Sequence, residues 1–250
     1  MDKLKVIFMG TPSFSVPTLD VLNKNCHVLL VVTKIDSEVG RKQEIVFSPV
    51  KKYALEHNLP LFQPQKIRQD YETITNLHPD LIITCAYGQI IPKVLLDLPK
   101  YGAINIHASL LPKYRGSAPI NWAIINGEDK TGITLMYMDE HMDTGDIIAQ
   151  KEIEILMDDN YGSLYDKLSL IGANLLENNL DNIKNNKISR IKQDDNKATL
   201  APMLTRDIEH LDFSLNGKDI INKIRGLSPT PSANFLLNNE EIKVLKAHYI

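Results

Sequence analysis

The first 150 residues predict an α/β fold, an open and mostly parallel sheet with helices on both faces. Three observations lead there. Short apolar runs of strand length alternate with segments of helical pattern, the signature of strand–helix–strand units. Proline recurs at the opening turn of the helical segments, where its missing N–H costs nothing. The connections are tight, which favours right-handed crossovers.

The strands read as Lys5–Met9, His27–Thr33, Leu81–Cys85, Ala103–His107 and Ile133–Met138. Helices read near Pro17–Asn23, Pro49–Glu56, Pro92–Leu96 and Ala118–Asn126, with Pro17, Pro49 and Pro119 in first-turn positions. Such a Rossmann-like sheet binds ligands beyond the carboxyl ends of its strands, and His107 and Asp143 are expected there. Gly145 to Ile155 alternates imperfectly and reads as a longer strand with one exposed side. Leu164, Leu168, Ile171, Leu175 and Ile183 then step along one face of a long helix, the pattern of packing against a sheet. The domain expected from these elements spans 1–185.

Residues 186–205 are polar and irregular, with Asp194-Asp195-Asn196 as a loop signal, and read as a linker. Residues 206–250 begin a small β-rich carboxy-terminal domain. A helix at Asn216–Arg225 is broken by Gly226–Pro231, and a hairpin of Ala233–Leu237 and Ile242–Tyr249 turns at Asn238-Asn239. So short a unit buries little core alone, and the sequence stops within a strand-like run, so this domain reads as partial.

A formal net charge of −3 argues against charge-driven nucleic-acid binding over the whole surface. The balance is uneven: residues 1–180 carry 17 Lys+Arg against 22 Asp+Glu, and residues 181–250 carry 11 against 9. A nucleic-acid partner is therefore neither required nor excluded. Cys26 and Cys85 sit in apolar runs and read as small buried hydrophobes. No C-x-x-C, H-E-x-x-H or carboxylate cage is present, so no metal is expected. The chain opens almost directly on a strand, leaving no room for a signal peptide, and runs such as Val28–Val32 are far short of a bilayer span. The expectation is a cytosolic protein without membrane contact.

Chemistry concentrates between Asn105 and Asp146. Asn105 and His107 are two apart in a strand, so an amide and an imidazole project from one face. A carboxylate from a later loop, Asp143, would complete a set suited to a reaction in which an oxyanion develops while a nucleophile loses a proton. Asp143-Thr144-Gly145-Asp146 taken alone is a turn, with Asp and Gly supplying capping and positive φ. A lone His at a strand end is more often structural. Only the combination gives either a catalytic meaning. Gly10-Thr11-Pro12-Ser13 follows the first strand where a dinucleotide fold carries G-x-G-x-x-G, but only Gly10 fits.

Asn105-x-His107, the run Ser109-Leu110-Leu111-Pro112-x-Tyr114-Arg115-Gly116 and Asp143 closely resemble the folate-dependent formyltransferases. The likeness extends to the branch of that family acting on methionyl-tRNA. It is carried by Ile7 to Ser15, Ser48–Lys51 with Leu59-Pro60, Ala86 to Pro92, and Ile224 to Pro229. The resemblance implies Asn105, His107 and Asp143 as catalytic residues and 10-formyltetrahydrofolate as co-substrate. It implies folate contacts at Tyr87, Gln89, Ile90, Ile91, Ser109, Leu110, Leu111 and Pro112, with a sharp turn and a cis bond at Leu111–Pro112. Arg115 and Gly116 would shape that loop. The implied reaction is formyl transfer to the α-amine of initiator methionyl-tRNA.

Four residues are implied as substrate contacts: Gly10, Thr11, Arg41 and Lys42. The first two also read as a plain strand-to-helix turn, and Arg41 also reads as a solvated loop charge. The loop Lys34–Val46 departs from the family, since Glu38 and Glu44 dilute its charge and a proline-rich turn is missing. The carboxy-terminal domain is about half the family's usual length. Other readings stay open: a formyltransferase acting on a small amine such as glycinamide ribonucleotide or an amino-sugar nucleotide, or a non-catalytic folate-binding protein.

Overall fold

The computed structural model describes residues 3–39 and 44–248. The chain forms two compact units, one of residues 1–107, 134–149 and 169–193, the other of residues 108–133, 150–168 and 194–250.

The first unit begins with β1 (Lys5–Gly10), α1 (Val16–Asn25) and β2 (His27–Val32). β1 is buried at every residue after Lys5, as expected of a strand covered on both faces. A short antiparallel hairpin follows, β3 (Ser37–Val39) and β4 (Glu44–Val46), then α2 (Pro49–Glu56) and β5 (Leu61–Phe62). Ser48 caps α2 by accepting from the Lys51 N–H at 3.0 Å, and Pro49 occupies its first turn. The short α3 (Glu72–Thr75), then β6 (Leu81–Cys85), α4 (Lys93–Leu96) and β7 (Ala103–His107), bring the chain to Asn105 and His107.

Next come β8 (Arg115–Gly116), α5 (Pro119–Ile125), β9 (Lys130–Tyr137), β10 (Ile147–Glu154) and the 24-residue α6 (Tyr161–Lys184). β9, β10 and α6 each contribute residues to both units. The seven-stranded sheet has the order β10-β9-β7-β6-β1-β2-β5. Its strands from β5 to β7 are parallel, and β9 runs antiparallel to β7. The mostly parallel α/β sheet expected from the sequence is present. One face of its core holds Ile7, Met9, Val32, Ile82, Ile91 and Leu95.

The second unit is completed by β11 (Leu200–Ala201), α7 (Arg206–Glu209), α8 (Gly217–Leu227), β12 (Ala233–Leu237) and β13 (Glu240–Val244). Leu211, Ile224, Leu227 and Ala233 form its small core. Asn121 on α5 donates to the Gly226 carbonyl at 2.8 Å, and a Cβ at Gly226 would stand 2.5 Å from Ile125, so the glycine permits the α5–α8 approach. β12 pairs antiparallel with β13 through Asn238 and Asn239, both at positive φ. The last strand starts two residues earlier than the pattern suggested and stops at Val244. Apolar residues beyond Val244 had extended the apparent strand.

The Lys34–Val46 segment, read as a loop, contains the β3–β4 hairpin. Arg41 and Lys42 lie outside the described residues. No described helix is long and apolar enough to cross a membrane.

Candidate active site

The carboxyl ends of β1, β6 and β7 are level. Gly10 pairs with Cys85, and Thr84 with Asn105, so Thr11 and Ala86 leave the sheet level with His107, the last residue of β7. Two hydroxyls tie the turns there. Ser15 Oγ donates to the Cys85 carbonyl at 2.6 Å, and Thr11 Oγ1 donates to the Tyr87 carbonyl at 3.2 Å. A Cβ on Gly10 would lie 2.7 Å from the Phe8 ring and 2.9 Å from the Cys85 carbonyl, so only glycine lets the chain leave β1 this closely.

Asn105 and His107 share a face of β7, which is hydrogen-bonded on one side to β6 and on the other to β9. His107 is buried at 5% exposure, whereas Asn105 is half-buried. The buried Thr84 hydroxyl donates to Asn105 Oδ1 at 2.7 Å. With its carbonyl oxygen occupied by a donor, the amide turns its NH₂ away from Thr84 as a hydrogen-bond donor for another group.

Asp143 reaches this face by a route the sequence did not suggest. Because β9 is antiparallel, its carboxyl end lies beside the start of β7, where the Met138 N–H bonds to the Ala103 carbonyl at 2.8 Å. The loop after β9 then returns, and Asp143 Oδ2 stands 3.6 Å from His107 Nδ1. That is beyond a direct hydrogen bond and within ion-pair reach once the imidazole is protonated.

The turn chemistry of this loop also differs from expectation. The left-handed residue is Asp143 itself, at φ 55°, a conformation that Asp tolerates better than most residues. Gly145 is required for space, since a Cβ there would overlap the Tyr137 carbonyl. Capping comes from Asp139, whose Oδ1 accepts from the His141 N–H at 3.0 Å and from Thr144 Oγ1 at 2.7 Å. Thr84 and Gln193, which donates to the Asp143 carbonyl at 2.9 Å, are the residues of this arrangement that sequence reasoning missed. Neither stands in a motif.

The 86–91 turn presents a mixed surface. Tyr87 is buried in the core and burial pushes its phenol up to about 12. Its hydroxyl has no hydrogen-bond partner among the described residues. Ile91 is buried, Ile90 is 65% exposed, and Gln89 Oε1 accepts from the Ile67 N–H at 2.9 Å. The side chains of Tyr87 and Ile91 are thus taken up by the core.

In the second unit, Leu111–Pro112 is cis. Ser109 Oγ donates to the Lys113 carbonyl at 2.6 Å and Gln150 donates to the Leu111 carbonyl at 2.9 Å, while Leu110 is half-buried. Arg115 is buried and bridges to Asp195 at 2.7 Å. Gly116 has φ 124°, and a Cβ on it would lie 2.6 Å from the Ala201 carbonyl. Both shape the loop. Among the described residues, no group of three or more His, Cys, Asp or Glu could hold a metal ion.

The family described as formyl transferase matches residues 3–180, and its C-terminal domain matches residues 203–250. This chain belongs to the formyl transferase family. Methionyl-tRNA formyltransferase of Bacillus subtilis (strain 168) is 49% identical to this formyl transferase over 243 residues, 96% of this chain and 77% of its own. The protein of that name from Alkaliphilus oremlandii is 47% identical over 250 residues, 99% of this chain and 81% of its own.

Solved formyltransferase structures share the fold. A 4-N formyltransferase from Francisella tularensis superposes with a TM-score of 0.78 at 22% identity, covering 99% of each chain. An N-formyltransferase from Helicobacter canadensis, in complex with folinic acid and dTDP-3-aminofucose, gives 0.73 at 26% identity over 98% of this chain and 87% of its own.

Proposed function

We propose that this formyl transferase moves a formyl group from 10-formyltetrahydrofolate to the α-amine of initiator methionyl-tRNA. The product is N-formylmethionyl-tRNA for translation initiation, and the setting is the cytosol. The chemistry rests on one observation: His107 and Asp143 meet at 3.6 Å on the face that carries Asn105. The acceptor rests on relatives 47–49% identical over nearly the whole chain that bear the name methionyl-tRNA formyltransferase.

The free amine attacks the formyl carbon on the folate N10. Charge collects on the formyl oxygen, where the Asn105 NH₂ and a protonated His107 donate to it. Thr84 keeps the Asn105 carbonyl oxygen turned away from that charge. Asp143 balances the imidazolium and, directly or through a water, takes the proton leaving the amine. Collapse of the tetrahedral adduct breaks the bond to N10, which accepts a proton as tetrahydrofolate departs.

Folate contacts are assigned to backbone groups of Tyr87, Gln89, Ile90 and Ile91, and to Ser109, Leu110, Leu111 and Pro112. Gly10 and Thr11 are assigned to a phosphate or ribose of the acceptor, and Arg41 and Lys42 to its tRNA.

The test supplies 10-formyltetrahydrofolate with initiator methionyl-tRNA, with glycinamide ribonucleotide, and with an amino-sugar nucleotide in separate assays. Formyl transfer to the tRNA alone is expected. Transfer to either small amine, or donor binding without turnover, would overturn the assignment. Phosphate contacts release counterions, so tRNA use should fall with salt at about −0.9 in log–log slope per duplex phosphate contacted. Arg41→Ala should make that slope shallower and leave donor binding unchanged.

A further inference from the structure

The stretch from Arg190 to Gln193 grips the Asp143 loop at its start, middle and end. The Arg190 guanidinium stacks over the Tyr137 ring at 3.8 Å, where β9 ends. Ile191 exchanges both backbone hydrogen bonds with Ile147, where β10 begins, at 2.8 and 3.0 Å. Between them, the Gln193 side-chain NH₂ donates to the Asp143 carbonyl at 2.9 Å and to the Gly145 carbonyl at 2.8 Å.

One amide thus uses both of its hydrogens on the two carbonyls that flank Thr144. It holds the backbone on which Asp143 adopts its left-handed conformation. Asp143 lies on the loop between β9 and β10, outside both strands. The Gln193 clasp supplies what β6 and β9 supply to Asn105 and His107.

We propose that Gln193 is a positioning residue that fixes Asp143 against His107. The inference rests on the reading of Asp143 as the group that charges the imidazole and receives the amine proton. It demands two donors at position 193, not merely a side chain of that size. Gln193→Glu keeps the volume, removes both hydrogens and sets a carboxylate against two carbonyls. Gln193→Ala removes the group. Gln193→Lys restores N–H donors on a longer stem.

The experiment measures kcat and KM for formyl transfer in the three variants, thermal melting, and the imidazole ¹⁵N signals of His107 by NMR. His107→Ala serves to assign those signals, and Asp143→Asn provides the reference for a lost carboxylate. Misplacing a reacting group by an ångström can cost on the order of 10²-fold. The expected fall in kcat is therefore roughly 10- to 100-fold for Gln193→Ala and Gln193→Glu. KM for the formyl donor should stay within about twofold of the parent, and Gln193→Lys should recover most of the loss, as donor geometry rather than volume requires.

The His107 signals of Gln193→Ala should move toward those of Asp143→Asn. A Gln193→Glu protein with parental kcat would overturn the proposal, as would a lower melting temperature with unmoved His107 signals. The NMR comparison needs no turnover. If the unaltered protein formylates none of the acceptors, the proposed function fails while the positioning role is still decided.

Discussion

Replacing Gly145 with alanine tests the placement of Asp143 through backbone sterics alone. The added methyl would overlap the Tyr137 carbonyl oxygen and stand 2.8 Å from its carbon, closer than real Cβ contacts allow. Tyr137 sits at the end of β9, paired with Ile104 of β7, so the loop must yield. The displacement needed is roughly 1 Å, the scale at which a misplaced reacting group loses about 10²-fold in rate. That corresponds to about 2.7 kcal/mol in the barrier.

Asp143 is two residues away and already 3.6 Å from His107, so another ångström breaks the pair. Overpacking should also cost about 1–3 kcal/mol in stability. The assay is kcat at saturating formyl donor and methionyl-tRNA, at a temperature where circular dichroism shows the variant folded, with Asp143→Asn alongside. The two variants should fall to similar rates. A folded Gly145→Ala with near-parental kcat beside a crippled Asp143→Asn would show that the loop backbone does not set the carboxylate.

Asn105→Ala should lower kcat by on the order of 10²–10³ while donor binding persists, and adding His107→Ala should cost little more, because groups acting as a unit are not additive. Tyr87→Phe should raise the melting temperature, since it removes a buried hydroxyl without a partner among the described residues, a group that costs about 1–3 kcal/mol. Burial pushes the Cys26 thiol up to about 11 and the Cys85 thiol up to about 12. Both therefore stay protonated at pH 8, and iodoacetamide should label neither until the protein is unfolded. Burial pushes the Asp159 carboxyl up, but bonds from Lys167, Ser163 and the Leu156 N–H outweigh it and hold the group below its ordinary range. Its stabilisation is complete above the unfolded carboxylate range and vanishes as pH falls through the folded value, so Asp159→Asn should flatten the acid limb of a melting-temperature profile.

The parallel part of the sheet was legible because buried strands leave continuous apolar runs. β6 and β7 occupy the residues expected, and so does α2, marked by Ser48 and Pro49. The direction of β9 was not legible, because an apolar run looks the same read up or down the sheet. That one ambiguity hid the path of the Asp143 loop. The β3–β4 hairpin escaped because Ser37, Glu38 and Glu44 dilute the alternation that betrays a strand. Asn105 and His107 were visible as a pair through the period of two. Thr84 was hidden as a β-branched residue in a strand, where threonine is ordinary. Gln193 lies in a polar stretch whose composition signals only a loop, and its role depends on which carbonyls it meets.

The return of the Asp143 loop to His107 has a consequence for how the protein is made. The amide and the imidazole occupy β7, and the carboxylate follows in the loop after β9. The clasp that immobilises the carboxylate arrives only after α6 has been synthesised. A growing chain therefore has Asn105 and His107 before it has Gln193 to clasp the loop that carries Asp143. Order of synthesis thus sets the order in which these contacts can form, and the clasp waits until the long helix has been laid down.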